Sequence, residues 1–444
     1  MKNVIHFIKQ NKAIFILLGI SLISYSLGFF FNSIVSHYLR ADVYGDFSIT
    51  MRIVIVIGMV LLVGTNVSSV KYLSNYSDIG NYLGFKQFIN WNVKLLRVTS
   101  IGSIIIFVLF YATLILLHLL TIKNITSYHY SVYAFFIAPL SAACVLLTSF
   151  MLSIKWNNAY LFFEKMSQNI LLSLFVIGSL FFFEITIDYF SALIFLCMSF
   201  SIIFVAELIL VWRIIKKKEL NKGPMAVNIA PAPEEKKIWM KDSLNFISAQ
   251  LVYRLIFIID LLIIEWIIPN DQATGYYAAM LVIVGVLLEA PRSITSFLAP
   301  RISPLLKQKN YMELQKLINK VSLISFLVSV LFFLLIVFLS NYLLSLFGKD
   351  FTQAQIPLIV LSFAYFIGAT CLSNAKILMF MDSKIILLIN VSELIILIVS
   401  GVVLTYFYGL IGMSFSVLIS SLAKTIIMFI KVKERLPIKP YGFI

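Results

Sequence analysis

Arg254 lies deep in an apolar run, eleven residues after Ser243, which on a helix is roughly 16 Å into the run. At that depth a guanidinium is too far from the headgroups to snorkel, and ionisable side chains there face a cavity or another charge. Its planar fork of donors suits a phosphate or a carboxylate. Asp260 follows six residues later, about 9 Å deeper and about 120° round the helix, so the two are poor mutual partners. Gln250 and Glu265 fall closer to the Arg254 face. As chemistry, Arg254 and Gln250 make the wall of an anion-binding cavity, and Asp260 or Glu265 takes up a proton or another coupling ion. As structure, each is one half of a pair with another helix.

Further charges are distributed along other apolar runs. Glu393 is about a third of the way into the run 385–406 and either couples an ion or hydrogen-bonds between helices. Glu289 and Arg292 flank Pro291 near the end of another run, where they form a gate or an ordinary end-of-span pair. Arg52, near the outer end of its run, lines a cavity or snorkels. Glu207 and Arg213 are read as rim residues. Ser21, Tyr25, Gly28, Asn32 and Ser36 recur at helical spacing within about 80° of one another. Such a stripe lines a polar cavity, which Tyr25 and Asn32 favour, or packs closely through its small residues.

Other chemistry lacks its residues. Gly348-Lys349 has no upstream glycine of a phosphate-binding lysine loop, so ATP bound by this chain is not expected to drive anything. No HExxH, CxxC pair or GxSxG is present, which argues against a conventional hydrolase. Cys144, Cys197 and Cys371 sit singly in apolar runs, and His6, His37, His118 and His129 are scattered without ligand spacing. Neither a metal site nor a cofactor is expected, and the chain is not read as an enzyme.

The elements that must position these residues are apolar to an unusual degree. Of 444 residues, 61% are hydrophobic and 12% charged, with a mean hydropathy of +0.99. A soluble domain carries about 25% charged residues, so lipid is the expected solvent. Twelve runs, 13–35, 51–70, 95–120, 130–152, 167–183, 190–212, 245–268, 275–296, 321–341, 357–379, 385–406 and 410–430, have about the 20 residues a spanning helix needs. They lack the alternation of barrel strands. The first is too long for a signal-peptide core and is read as a retained span.

Lys and Arg fall in every second gap between these runs, for example Lys71, Lys86, Lys94 and Arg97, then Lys155 and Lys165, then Arg213 to Lys241. The alternate gaps and their rims keep only Arg40, Arg52, Lys123 and Lys349. Cytoplasmic loops hold the basic excess, so both termini are expected in the cytoplasm. The net charge of +15 is thus assigned to anionic membrane lipids and not to nucleic acid. The longest break holds KKKELNKGPMAVNIAPAPEEKK, residues 216–237, and divides six runs from six: residues 1–215, a linker 216–244, and residues 245–444. An even split predicts parallel repeats. ADVYGDFSITMRIVIVIGMVLL, from Ala41, and NDQATGYYAAMLVIVGVLL, from Asn270, echo one another: an acidic residue, then Gly beside Tyr, then a span. Residues 302–324 and 73–92 pattern as amphipathic cytoplasmic helices, lying in the interface or docked on the bundle.

At YLRADVYGDFSI, Tyr38 to Ile49, the chain resembles bacterial polysaccharide flippases, the O-antigen and exopolysaccharide branch of the multidrug/oligosaccharidyl-lipid/polysaccharide exporter superfamily. Those proteins often show Tyr-Leu-Gly-x-x-x-Tyr-Gly after the first span; here Arg40 stands in place of the first Gly. GYYAAM, Gly275 to Met280, and LAPRIS, Leu298 to Ser303, are similar to the family in the second half, and Asp260 falls where such proteins often carry an acidic residue. The resemblance implies an all-α polytopic fold, twelve transmembrane helices in two six-helix lobes around a central cavity. It implies transfer of an undecaprenyl-diphosphate-linked oligosaccharide repeat unit, as in lipopolysaccharide assembly, across the bacterial cytoplasmic (inner) membrane by lobe rocking. A polysaccharide polymerase and a chain-length regulator are the protein partners it implies. A drug or lipid II exporter of the same superfamily would share the layout. A membrane-embedded polysaccharide polymerase or ligase is the rival of another class, but such proteins usually carry a large charged outer loop, and the outer gaps here are short, with Glu184 and Asp188 their main charges.

Overall fold

Long apolar segments in lipid must close every backbone hydrogen bond internally, and helices do so. The computed structural model describes residues 12–119, 130–181, 187–220, 233–296, 302, 305, 306, 308–381 and 383–439. Among these there is no strand, and ten helices are long and apolar enough to cross a membrane. Two are far too long for one crossing: Leu18–Leu62 has 45 residues and Lys384–Arg435 has 52, about 68 and 78 Å against a hydrocarbon core of about 30 Å. Each contains a break, at Arg40 (φ 64°, ψ 164°) and at Gly409 (φ 59°, ψ −137°). Counted as two helices each, they bring the total to the twelve crossings expected. The chain is an all-α, multi-pass membrane protein.

It forms two compact units, one of Met1–Gly45 with Ile259–Ile444, the other of Asp46–Ile258. Both boundaries fall inside continuous helices, Lys12–Leu62 and Pro233–Ile267. Compared with a division at the linker, the first helix goes with the C-terminal half and the start of the seventh with the N-terminal half. Residues 221–232 of that linker, and LAPRIS apart from Ile302, lie outside the described residues.

In the unit containing the C-terminus, Gly409 reverses the chain, in a backbone conformation that side chains rarely adopt. Residues on either side of it then meet: Gly401 faces Met413, Thr405 Oγ1 donates to Met413 Sδ at 3.4 Å, and Glu393 meets Lys424. The amphipathic segment read from residue 302 docks on the core. Leu314, Ile318 and Val321 are buried with Ile294, Ile302 and Ile377, and helix Tyr311–Ser345 continues directly into a span. Asn310 caps it, accepting the Glu313 N–H at 3.2 Å.

The other unit packs one end around Trp239. The indole is 1% exposed and meets Phe88 edge-on at 4.9 Å, with Tyr72, Tyr76 and Trp91 around it. The second amphipathic segment, residues 73–92, is interrupted between helices Thr65–Asp78 and Tyr82–Leu119 and turns Leu73, Tyr76, Phe85 and Phe88 into this cluster.

Candidate functional site

In the unit Asp46–Ile258, the end of helix Lys12–Leu62 and the residues after it run antiparallel to the first part of helix Pro233–Ile267. Lys71 Nζ lies 2.5 Å from Asp242 Oδ2, which also accepts from the Tyr72 hydroxyl at 2.8 Å. Burial, and next this bond, push the Tyr72 phenol up from its ordinary value. Ser68 and Ser243 hydroxyls are 2.8 Å apart, and a Cβ on Gly64 would collide with the Ser243 carbonyl. Asn66 Nδ2 donates to Gln250 Oε1 at 3.2 Å, and Arg52 Nη1 donates to the Phe257 carbonyl.

This seam sets the depth of the charges. From the Gly64–Ser243 contact, Arg52 is twelve residues along one helix and Arg254 eleven along the other, about 17 Å in each case. The carbonyl that receives Arg52 belongs to Phe257, one helical turn beyond Arg254. Arg52 is therefore not at the outer end of its span, as its place in the sequence suggested; the helix ends at Leu62, leaving Arg52 about 15 Å inside. Arg254 is exposed and Arg52 and Gln250 are partly buried. Of the five substrate-binding candidates, Arg52 and Arg254 thus lie at about one depth on adjacent helices of one unit, with Gln250 about one helical turn nearer Ser243; two guanidiniums so placed can bind an anion.

Tyr25 and Asn32 belong to the other unit. Tyr25 donates to the Val282 carbonyl, and Asn32 donates to Gly28 O at 2.8 Å while accepting from Tyr44 at 3.0 Å. Ser21 meets Ser293 at 2.5 Å, and Ser36 donates to Phe347 O at 3.1 Å. The polar stripe is a packing seam: Ser21 and Tyr25 meet residues 271–296, and Ser36 meets Phe347. At its far end the two echoed motifs touch: a Cβ on Gly45 would lie 2.8 Å from Gly275 N, and one on Gly275 would collide with the Ala41 carbonyl. The first helix pairs with the eighth here as the second pairs with the seventh in the other unit, which is the pattern two parallel repeats produce.

The coupling candidates also lie in this unit. Asp260 is 3% exposed and accepts the Leu261 N–H at 2.8 Å. Glu265 Oε2 accepts from Thr274 at 2.6 Å. Glu393 is held by Lys424 at 2.7 Å, with side chains 8% and 16% exposed. Lys424, read from sequence among the cytoplasmic charges at the C-terminal end, is thus a partly buried basic residue inside a span. Arg292 and Glu289 pair at 2.6 Å across one turn, as their spacing suggested. Glu207 corrects the sequence reading: it is 0% exposed, not a rim residue. Its signal was present, an acidic residue within an otherwise apolar helix, but position near a span end hid it. Among the described residues no cluster of three or more His, Cys, Asp or Glu could hold a metal.

No known sequence family and no curated protein sequence matches this chain. Solved structures do. An inward-facing multidrug resistance MATE family transporter of the MOP superfamily superposes with TM-score 0.64 at 12% identity, covering 95% of this chain and 98% of its own. MATE in complex with MaL6 gives 0.67 at 13%, with 96% of each chain covered. The lipid II flippase MurJ, in an inward closed conformation, gives 0.61 at 14%, covering 94% of this chain and 87% of its own. At such identities the likeness establishes the fold alone, all-α and polytopic, over nearly the whole chain.

Proposed function

We propose that the protein is a flippase that moves an undecaprenyl-diphosphate-linked oligosaccharide repeat unit from the cytoplasmic to the periplasmic leaflet of a bacterial inner membrane, by alternating access. The observation that carries this reading is Arg52 and Arg254 at one depth on adjacent helices. Two guanidiniums at one depth can make charge-assisted hydrogen bonds to one anion, and a lipid diphosphate supplies two charges on one group. The fold shared with exporters supports transport over catalysis. A second reading, lipid II, is favoured by the likeness to MurJ, since that substrate presents the same diphosphate.

Arg254→Ala should abolish surface polysaccharide while the protein still reaches the membrane, and Arg254→Lys should keep part of it. Normal polysaccharide in Arg254→Ala overturns the proposal. Rescue of a strain depleted of its lipid II flippase, with no rescue of one lacking a repeat-unit flippase, selects the second reading.

A further inference from the structure

Helix Tyr189–Leu220 carries one acidic residue in its membrane-spanning part, Glu207, about 14 Å from the Lys216 end. The residue is 0% exposed, and neither carboxyl oxygen has a hydrogen-bond partner among the described residues. Helix Tyr133–Ser153 packs on it and presents the Cys144 thiol, which donates to the Phe200 carbonyl at 3.5 Å. Helix Gln168–Phe181, packed on the same helix, carries no titratable residue. The turn Phe163–Ser167 offers Glu164, exposed and hydrogen-bonded with Tyr160, and Lys165. Among the described residues no counter-charge and no donor holds an ionised Glu207.

A carboxylate in such a place is strongly disfavoured, so the group carries its proton. A neutral acid without partners still adds nothing to stability that an apolar side chain of its shape would not supply better. Stability therefore gives no reason for a glutamate here, whereas reversible protonation does. We propose that Glu207 is a proton-binding site whose loading is coupled to the conformation of the unit Asp46–Ile258: protonated in the state described, it releases its proton to water when the helices around it part. The site differs from Asp260, Glu265 and Glu393, all in the other unit and all with hydrogen-bonded carboxyls. The coupling to transport rests on the proposed flippase activity; the protonation does not.

The test has two arms. Infrared difference spectra of the purified protein in lipid nanodiscs, wild type minus Glu207→Gln, should show the carbonyl stretch of a protonated carboxyl at neutral pH; a carboxylate band there instead overturns the proposal, whatever the substrate. In cells, Glu207→Gln and Glu207→Met should reach the membrane with thermal stability equal to or above wild type yet lose surface polysaccharide, and Glu207→Asp should retain it. Unchanged polysaccharide in Glu207→Gln, beside loss in Arg254→Ala, overturns proton coupling while leaving the flippase reading intact.

Discussion

Replacing Arg40 with glycine should make this protein more stable. Arg40 has φ 64° and ψ 164°, a region open in practice only to glycine, and holding a side chain there costs about 1–3 kcal/mol. Two smaller effects oppose the gain. The ion pair to Asp42 is 3.9 Å long between side chains 76% and 36% exposed, so its loss matters little. Glycine also widens the unfolded ensemble, by about 0.5–1 kcal/mol. The net expectation is a gain of about 1 kcal/mol, read as a higher midpoint in equilibrium unfolding in mixed micelles. Arg40→Ala is the control: it removes the same charge but keeps the Cβ, so it should unfold at or below wild type. If alanine stabilises as much as glycine, or glycine lowers the midpoint, the strain account fails. In the motif that residues 38–49 resemble, glycine often stands at this position, and the backbone here has a conformation that suits glycine.

Three further outcomes can be checked by similar means. Gly275→Ala drives a methyl into the Ala41 backbone and should cost about 1–3 kcal/mol, whereas Gly178→Ala, with nothing within 4 Å, should gain about 0.5–1 kcal/mol; equal effects in unfolding experiments would mean that the crossing is loose. Glu393→Gln leaves Lys424 buried without its counter-charge and should cost about 3–5 kcal/mol, while the double change Glu393→Leu with Lys424→Met should cost far less; a double variant as unstable as the single one would refute the pairing. Asp188 caps helix Tyr189–Leu220, and bonds from the Ser191 N–H and hydroxyl hold its carboxyl below the ordinary range. Its contribution is therefore present above the unfolded value and is lost as pH falls through the lower folded value, so amide exchange at Ser191 should speed up there in wild type but not in Asp188→Ala.

The spans and their number were legible because lipid tolerates so few backbone solutions. So was the Glu289–Arg292 pair, which needs only one turn of helix. The motif echo at Gly45 and Gly275 was legible as repetition, although not as contact. What escaped were pairings that depend on which helix lies beside which. A helix apolar all round gives no moment to orient it, so Glu207 near a span end looked like a rim residue until helix Tyr133–Ser153 was seen against it. Lys424 was counted with the C-terminal charges because its partner is 31 residues away. Had Gly409 been taken as a reversal, counting outward from it would have brought Glu393 and Lys424 together. Arg52 was misplaced by a span boundary set several residues late.

The first helix pairs with residues near Ser293, and Ser21 is 272 positions from that partner. A ribosome adds roughly 5–20 residues per second, so this helix waits about 15–50 s before its seam can close. During that interval the Ser21, Tyr25 and Ser36 hydroxyls lie in or near hydrocarbon without their final long-range partners. The long-range pairing thus imposes a demand on biogenesis: something in the membrane has to shelter this helix until the second half of the chain arrives.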